Sequence, residues 1–475
     1  MVSWRWRDYG WSVPVLGGYA VLYAALALAG VHVNAVALAI VLMITFCLLK
    51  IPVAIALLGA ALLGGLHAGL SLTETLAAFN DNVLAGAQVG LSYVMVGAFA
   101  VALSRSGLLE LLSSAIAARV ERDADQVHTR IKWTLFAIFM VASLLSQNVI
   151  PVHIAFIPIL LPPLLAVMNR LQIDRRAVAC IFACAISSSY LLLPVGFGAI
   201  YLNEILLVNV NEAGAAHGLA VTAEMAPKAM FLPVMGIVAG MLVAVLVTYR
   251  KPRAYAQTAV IAEQTPAKTL QWPQLVATLV AIAVALVLQL AFDSLLLAAM
   301  VGFMILGVAG VFRWQEQDDV FTQGVRMMAQ IAVIITIASG FAAVLTATGE
   351  MEALVQASAD FMGNNQVFAA FVMLLVGLFI TIGFGDSFAS VPILAPIYIP
   401  LAMHLGFSPL AAMSLLGAAA ALGDAGSPAS TITLGATAGL NADGQHDHVR
   451  DSVIPTFIHA NVGMLLFAWL AALVL

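Results

Sequence analysis

The sequence predicts an all-α polytopic membrane protein of about eleven transmembrane helices plus two opposed re-entrant hairpins, laid out as an inverted repeat. Composition is the first reason. Of 475 residues, 63% are hydrophobic and only 9% charged, with a mean hydropathy of +1.05, too little charge to coat a soluble domain. Apolar runs of about 20 residues recur along the chain, each long enough to cross ~30 Å of hydrocarbon. The third reason is that two stretches read as one design written twice. Residues 146–164 (SQNVIPVHIAFIPILLPPL) precede an apolar segment interrupted at Ser187, Ser188 and Ser189. Residues 384–401 (FGDSFASVPILAPIYIPL) precede one interrupted by GDAGSPAS at 423–430. Asn148 and Asp386, Pro158 and Pro396, Pro162 and Pro400, and Asn203 and Asn441 all pair at a spacing of 238 residues.

Lys and Arg orient the elements. Basic residues fall at Arg5 and Arg7, Lys50, 105–132, 170–176, 250–268, 313–326 and Arg450. Placing all of them in the cytoplasm gives one consistent threading, with Lys228 the exception, a cytoplasmic N-terminus and an outer C-terminus. Helices then run over 12–31, 34–49, 51–68 and 86–106, and an amphipathic piece at 73–84 lies outside. Residues 133–169 carry bases at both ends, so they enter and leave on one side. Broken at 146–151 and short for two crossings, they form the first hairpin. An interrupted helix at 177–206 and a return at 228–249 complete the half. The second half repeats this upside down: helices at 273–291, 294–312 and 329–347, a hairpin at 366–403 entering from outside, a broken helix at 409–440 and a last span at 453–474. The organisation is therefore an extra N-terminal anchor helix (1–33), a first inverted repeat (34–249), a cytoplasmic linker (250–271) and a second repeat (272–475).

Duplicated, interrupted membrane segments are how a secondary transporter builds a binding site at the bilayer midplane. Asp386 and Asp424 lie far from either predicted interface, where an ionised Asp costs ~2.5–3.5 kcal/mol and normally faces a cavity or a partner. They are candidate Na+ or proton sites; the bland alternative is that they cap broken helices through backbone N–H groups. Ser187, Ser188, Ser189, Ser387, Ser427, Ser430 and Thr431 offer hydroxyls at the interruptions, where freed carbonyls and helix ends can bind ions and carboxylates. The same hydroxyls can equally serve only the local backbone. Gln147 and Asn148 at the first hairpin's tip are amides within reach of a solute, and His153 beyond the break is a candidate protonation site. The tract QHDH at 445–448 reads as a solvated turn rather than a metal site. Cys47, Cys180 and Cys184 lie in apolar runs and read as small apolar fillers. Gly383-Phe384-Gly385-Asp386 matches the GxGD of intramembrane aspartyl proteases, but a second membrane aspartate after a tyrosine and a PAL motif are missing, so that enzyme reading is rejected. Net charge of −5 and scattered bases argue against nucleic acid.

SQNVIPVHIAFIPILLPPL, LLPVGFG at 192–198, GFSPLAA at 406–412 and ALGDAGSPAS at 421–430 resemble the NhaC-type Na+/H+ antiporter family, in the branch named for amino-acid, often histidine, permeases. The resemblance runs from about Asn34 to Leu475. It implies an ion-transporter-superfamily fold, a dimer-holding scaffold with a moving transport domain, and a bacterial inner-membrane location. Two functions follow as alternatives. One is a carrier that moves a small solute, histidine-like by implication, coupled to Na+ or H+ without other cofactors. The other is Na+/H+ exchange without an organic substrate. Opposed hairpins disfavour a passive channel.

Overall fold

The computed structural model describes residues 18, 32–49, 51–108, 111, 128–148, 157, 161–256, 272–292, 294–363, 365–382, 385–428 and 430–475. Every regular element among these residues is helical, without strands. Seven described helices are long and apolar enough to cross a membrane, and six shorter apolar helices accompany them. Nearly all of the anchor segment expected at 1–33, most of the predicted linker (257–271) and the first hairpin's turn, with His153, lie outside the described residues, as does the side chain of Asn148.

In chain order the helices are α1 (Ala35–Leu48), α2 (Val53–His67), α3 (Leu72–Ser104), α4 (His128–Asn148), α5 (Pro162–Arg170), α6 (Arg175–Leu192), α7 (Val208–Gly214) and α8 (Met225–Val243). They continue as α9 (Trp272–Phe292), α10 (Leu295–Val308), α11 (Gln317–Ala347), α12 (Met351–Phe361), α13 (Gln366–Ile382), α14 (Ser387–His404), α15 (Pro409–Ala421), α16 (Thr431–Leu440) and α17 (Val462–Val474).

The helices sort into two groups. α1, α2 and α3 pack with α9, α10 and α11 as a frame, built around the long crossing of α3 with α11. α4, α5, α6 and α8 pack with α13 through α17 as a core bundle. α14 is the main bridge, touching α11 of the frame on one side and α15 of the bundle on the other. The frame crossing is very close: a Cβ added to Gly324 would lie 2.3 Å from the Cα of Ala98. Small residues let membrane helices approach in this way, where water supplies no driving force between them. Gly324→Val should therefore push α3 and α11 apart at a cost of about 1–3 kcal/mol. The check is thermal unfolding of the purified protein in detergent, where a lower midpoint is expected; an unchanged one would mean the crossing is looser than described.

Three elements differ from the sequence expectation. The piece at 73–84 is the start of α3, which runs unbroken to Ser104 from a Ser71–Glu74 capping box, each side chain paired with the other's backbone N–H. α11 likewise begins at Gln317, a dozen residues before the expected 329. Most instructive is the interrupted helix of the first half: Ser187, Ser188 and Ser189 sit inside α6, and the break comes at 193–196. Pro194 has no N–H to donate and forces its predecessor out of the helical region; Leu193 is accordingly extended, at φ −99° and ψ 114°. Gly196 then takes φ +62°, which a side chain would resist. The chain resumes through Phe197–Ala199 and a π-helical stretch, Ile200–Leu207, into α7. Serine runs tolerate a helix; Pro-x-Gly does not. The break in the second half falls as expected, between the end of α15 at Ala421 and the start of α16 at Thr431.

Candidate functional site

Four interrupted or terminating segments deliver their polar ends to one place. α14 begins at Asp386, whose Oδ1 accepts a hydrogen bond from the Ala389 N–H at 2.9 Å, so the bland capping role does operate there. α16 begins at Ser430, whose Oγ accepts from Ile432 N at 3.1 Å. The non-helical stretch between α15 and α16 carries Asp424, 6% exposed. Three hydroxyls converge on its carboxylate. Tyr190 of α6 donates to Oδ2 at 2.9 Å, Ser387 of α14 lies 3.0 Å from the same oxygen, and Ser430 donates to Oδ1 at 2.8 Å. Ser387 is also 2.8 Å from the Tyr190 hydroxyl, which closes a triangle. A carboxylate that receives only donors is held ready to carry a charge in a medium that otherwise penalises it.

Asp386 and Asp424 line a common cavity of about 30 Å³, together with Gln147 of α4, Thr431 of α16, and Tyr93 and Phe388. That volume admits one or two waters or a small cation. Among its described lining residues there is no Lys or Arg. The walls are aromatic: the Phe388 ring centroid is 5.3 Å from Tyr93 and 5.2 Å from both Tyr190 and Tyr201. Tyr201 anchors the cluster by donating to the Gly417 carbonyl at 2.9 Å.

Two larger cavities, about 570 and 1070 Å³, lie between frame and bundle on the side where α3 begins and α11 ends. They share Asn82, Asn209 and Glu212, carry the further acids Asp81, Glu204 and Glu352, and have no Lys or Arg among their described lining residues.

Of the residues singled out in the sequence, Gln147, Asp386, Asp424 and Thr431 line the small cavity, and Ser387 and Ser430 bind Asp424 directly. Ser427 turns away to donate to the Ile382 carbonyl at 2.9 Å, a structural bond across the two breaks. Ser187 and Ser189 are buried in α6, and Ser188 meets Cys184 at 3.7 Å; none of the three lies at a helix break, so the role expected of them at an interruption does not apply. Missed altogether were Tyr93, Tyr190 and Phe388, which read as ordinary core aromatics. A signal was available: a tyrosine deep in an apolar span needs a partner for its hydroxyl.

The 445–448 tract is not simply a solvated turn. His446 is 3% exposed and its Nε2 is 2.8 Å from Ser452 Oγ. His448 lies between Thr437 Oγ1 (2.8 Å) and the Pro428 carbonyl (3.0 Å). Beside them Arg175, fully buried, donates to both carboxylate oxygens of Asp443, to the Leu440 carbonyl at 2.6 Å and to Asn169 at 2.8 Å. The described end of the predicted linker is laid onto this joint: Arg253 pairs with Asp451 at 2.7 Å, and Tyr255 stacks 4.3 Å from the Arg175 guanidinium.

A family model described as the Na+/H+ antiporter family matches residues 180–469, and a second, the Na+-H+ antiporter family, matches residues 34–120. The chain belongs to the Na+/H+ antiporter family. As a member of this family it is a secondary transporter embedded in a lipid membrane. An uncharacterised membrane protein of Vibrio parahaemolyticus is 46% identical over 443 residues, covering 93% of this chain and 100% of its own. A Bacillus subtilis protein, provisionally named amino acid transporter YuiF, is 43% identical over 447 residues, again 93% and 100% of the two chains. Among solved structures, the YdaH transporter of Alcanivorax borkumensis shares the fold at a TM-score of 0.57 and 18% identity, over 85% of this chain and 88% of that one. MtrF of Neisseria gonorrhoeae does so at 0.57 and 16% identity, over 85% of each chain. This family member thus shares the helical architecture of those transporters, as the sequence led one to expect.

Proposed function

We propose that the protein is a cation-coupled carrier of a small solute, a histidine-like amino acid, driven by Na+ or H+ across a bacterial inner membrane. The observation that carries the reading is the meeting of two carboxylates, the half-buried Asp386 and the buried Asp424, on the ends of interrupted segments, around a cation-sized cavity whose described lining has no Lys or Arg. The ion is the only cofactor this reading needs, and the substrate leaves chemically unchanged, so no enzymatic step is invoked. The solute half rests on the two larger cavities, whose size suits an organic molecule, and on the provisional name of the Bacillus relative. Positive residues set the orientation, with the N-terminus in the cytoplasm, the C-terminus outside and the larger cavities opening outward. A homodimer held through the frame is part of the same reading.

A second reading, Na+/H+ exchange alone, draws on the size of the small cavity: about 30 Å³ holds an ion but no amino acid. Reconstitution in liposomes separates the two. Labelled amino acids, histidine included, are offered with and without inward Na+ and H+ gradients. Gradient-driven accumulation of one of them is the expected result. No uptake of any, with Na+-dependent proton movement reported by a pH dye, would replace the carrier with the exchanger.

A further inference from the structure

The small cavity draws on both helix groups. Gln147, Asp386 and Asp424 belong to the core bundle, whereas Tyr93 belongs to α3 of the frame and has Met328 and Ile331 of α11 beside it. Tyr93 and Gln147 are each 2% exposed. Neither the Tyr93 hydroxyl nor Gln147 Oε1 has a hydrogen-bond partner among the described residues. Buried polar atoms are normally paired, and an unpaired one requires an explanation. Two of them facing one cavity with two carboxylates share a common explanation, a ligand that all four groups bind.

The atoms define that ligand. Both unpartnered atoms named at this cavity are oxygens, and the carboxylates bring negative charge. A single proton can serve at most one unpaired oxygen at a time. A hard cation binds several oxygens together, and Na+ is small enough for the space.

The position of Tyr93 adds a second property. Its neighbour Ser92 lines the 570 Å³ cavity, and so does Pro392, one turn along α14 from Phe388. The rings of Tyr93, Phe197 and Phe388, with centroids 5.3–6.4 Å apart, line the small cavity, Tyr93 and Phe388 on the part of α3 and α14 whose next residue and next turn line the larger one.

We propose that Tyr93 is a Na+ ligand supplied by the frame, binding the ion with Gln147, Asp386 and Asp424 only while the bundle holds its present position. Alternating access requires one group of helices to move against the other around the site. Asp386, Asp424 and Gln147 travel together in that movement, and Tyr93 stays behind. The ion is then held more tightly on the side of the larger cavities than on the opposite face. This inference rests on the cation-coupled reading above and names its ion.

Tyr93→Phe in the full chain tests it, because the ring and its packing stay and only the hydroxyl goes. Uptake of radioactive Na+ is measured in right-side-out and inside-out membrane vesicles, and thermal unfolding of the purified protein with and without Na+. The expected result is an unchanged midpoint without Na+, and a half-saturating Na+ concentration raised about tenfold on the face of the larger cavities and less than twofold on the other. Gln147→Leu should raise it on both faces. Unchanged Na+ dependence of Tyr93→Phe on both faces would overturn the proposal and leave a bound water as the partner of the hydroxyl. An equal shift on both faces would overturn the one-sided role. Absence of Na+ dependence in the wild type would overturn this inference and the Na+ form of the coupling reading together, a failure visible before any variant is made.

Discussion

Asp424→Asn is expected to abolish gradient-driven transport, by on the order of a hundredfold or more, while the protein still folds into the membrane. The asymmetry comes from the site's construction. Tyr190, Ser387 and Ser430 all aim hydroxyl groups at this carboxylate. Hydroxyls rotate, and each can accept as well as donate, so an amide of the same shape can be accommodated. What it lacks is the charge that attracts a cation into a low-dielectric cavity. A hundredfold loss corresponds to about 2.8 kcal/mol, modest for a charge–ion contact out of water. Asp386→Asn is the companion variant. Asn caps a helix about as well as Asp, so α14 should begin normally and any loss of coupling reports the charge. Wild-type ion dependence in Asp424→Asn, measured in proteoliposomes, would take that residue out of the mechanism.

The largest effect on stability is expected at the other end of the bundle. Asp443→Ala removes the carboxylate from a fully buried Arg175 and should cost about 3–5 kcal/mol, since an uncompensated charge stays behind. The double variant Arg175→Met, Asp443→Leu should recover much of the loss, because replacing both partners removes the charge as well. Thermal unfolding of the two variants decides this; a double variant no better than the single would show that the Asn169, Leu440 and Tyr255 contacts matter more than the pair. The pair also carries a pH signature. Burial works against the Asp443 charge, but the hydrogen bonds and charge of Arg175 outweigh it and hold the carboxyl below its usual range. The resulting stabilisation is fully present above the unfolded value of about 3.9 and is lost as pH falls through the lower folded value. Acid unfolding below about pH 4 should therefore be shallower in the double variant.

Much of this architecture was legible in the sequence because apolar run length speaks directly about a membrane. The Gly423–Ser430 interruption was equally plain, since Gly and Pro act on the backbone locally. The break after α6 was misplaced for a physical reason. Hydroxyl-rich runs look polar to a hydropathy reading, but Ser bonds back to its own helix, while Pro194 and Gly196 change the backbone itself. Asp386, Asp424, Ser387 and Ser430 stood out because charges and hydroxyls are expensive in hydrocarbon. Tyr93 and Tyr190 did not, because an aromatic ring is welcome there, and only the fold shows that the Tyr190 hydroxyl reaches Asp424 and that Tyr93 lines the same cavity. The Arg175–Asp443 contact was invisible for another reason: its partners lie 268 positions apart, and no periodicity links them.

That separation has a consequence for how the molecule is made. A ribosome adding about 5–20 residues per second produces Asp443 roughly 15–50 s after Arg175. Throughout that interval the newborn first half carries a guanidinium whose buried place does not yet exist, and Tyr190 likewise waits for Asp424. The first half must idle with Arg175 in the wet headgroup region until the last third of the chain is threaded. Severed halves produced together in one cell should find each other, and either half made alone should be cleared by membrane proteases.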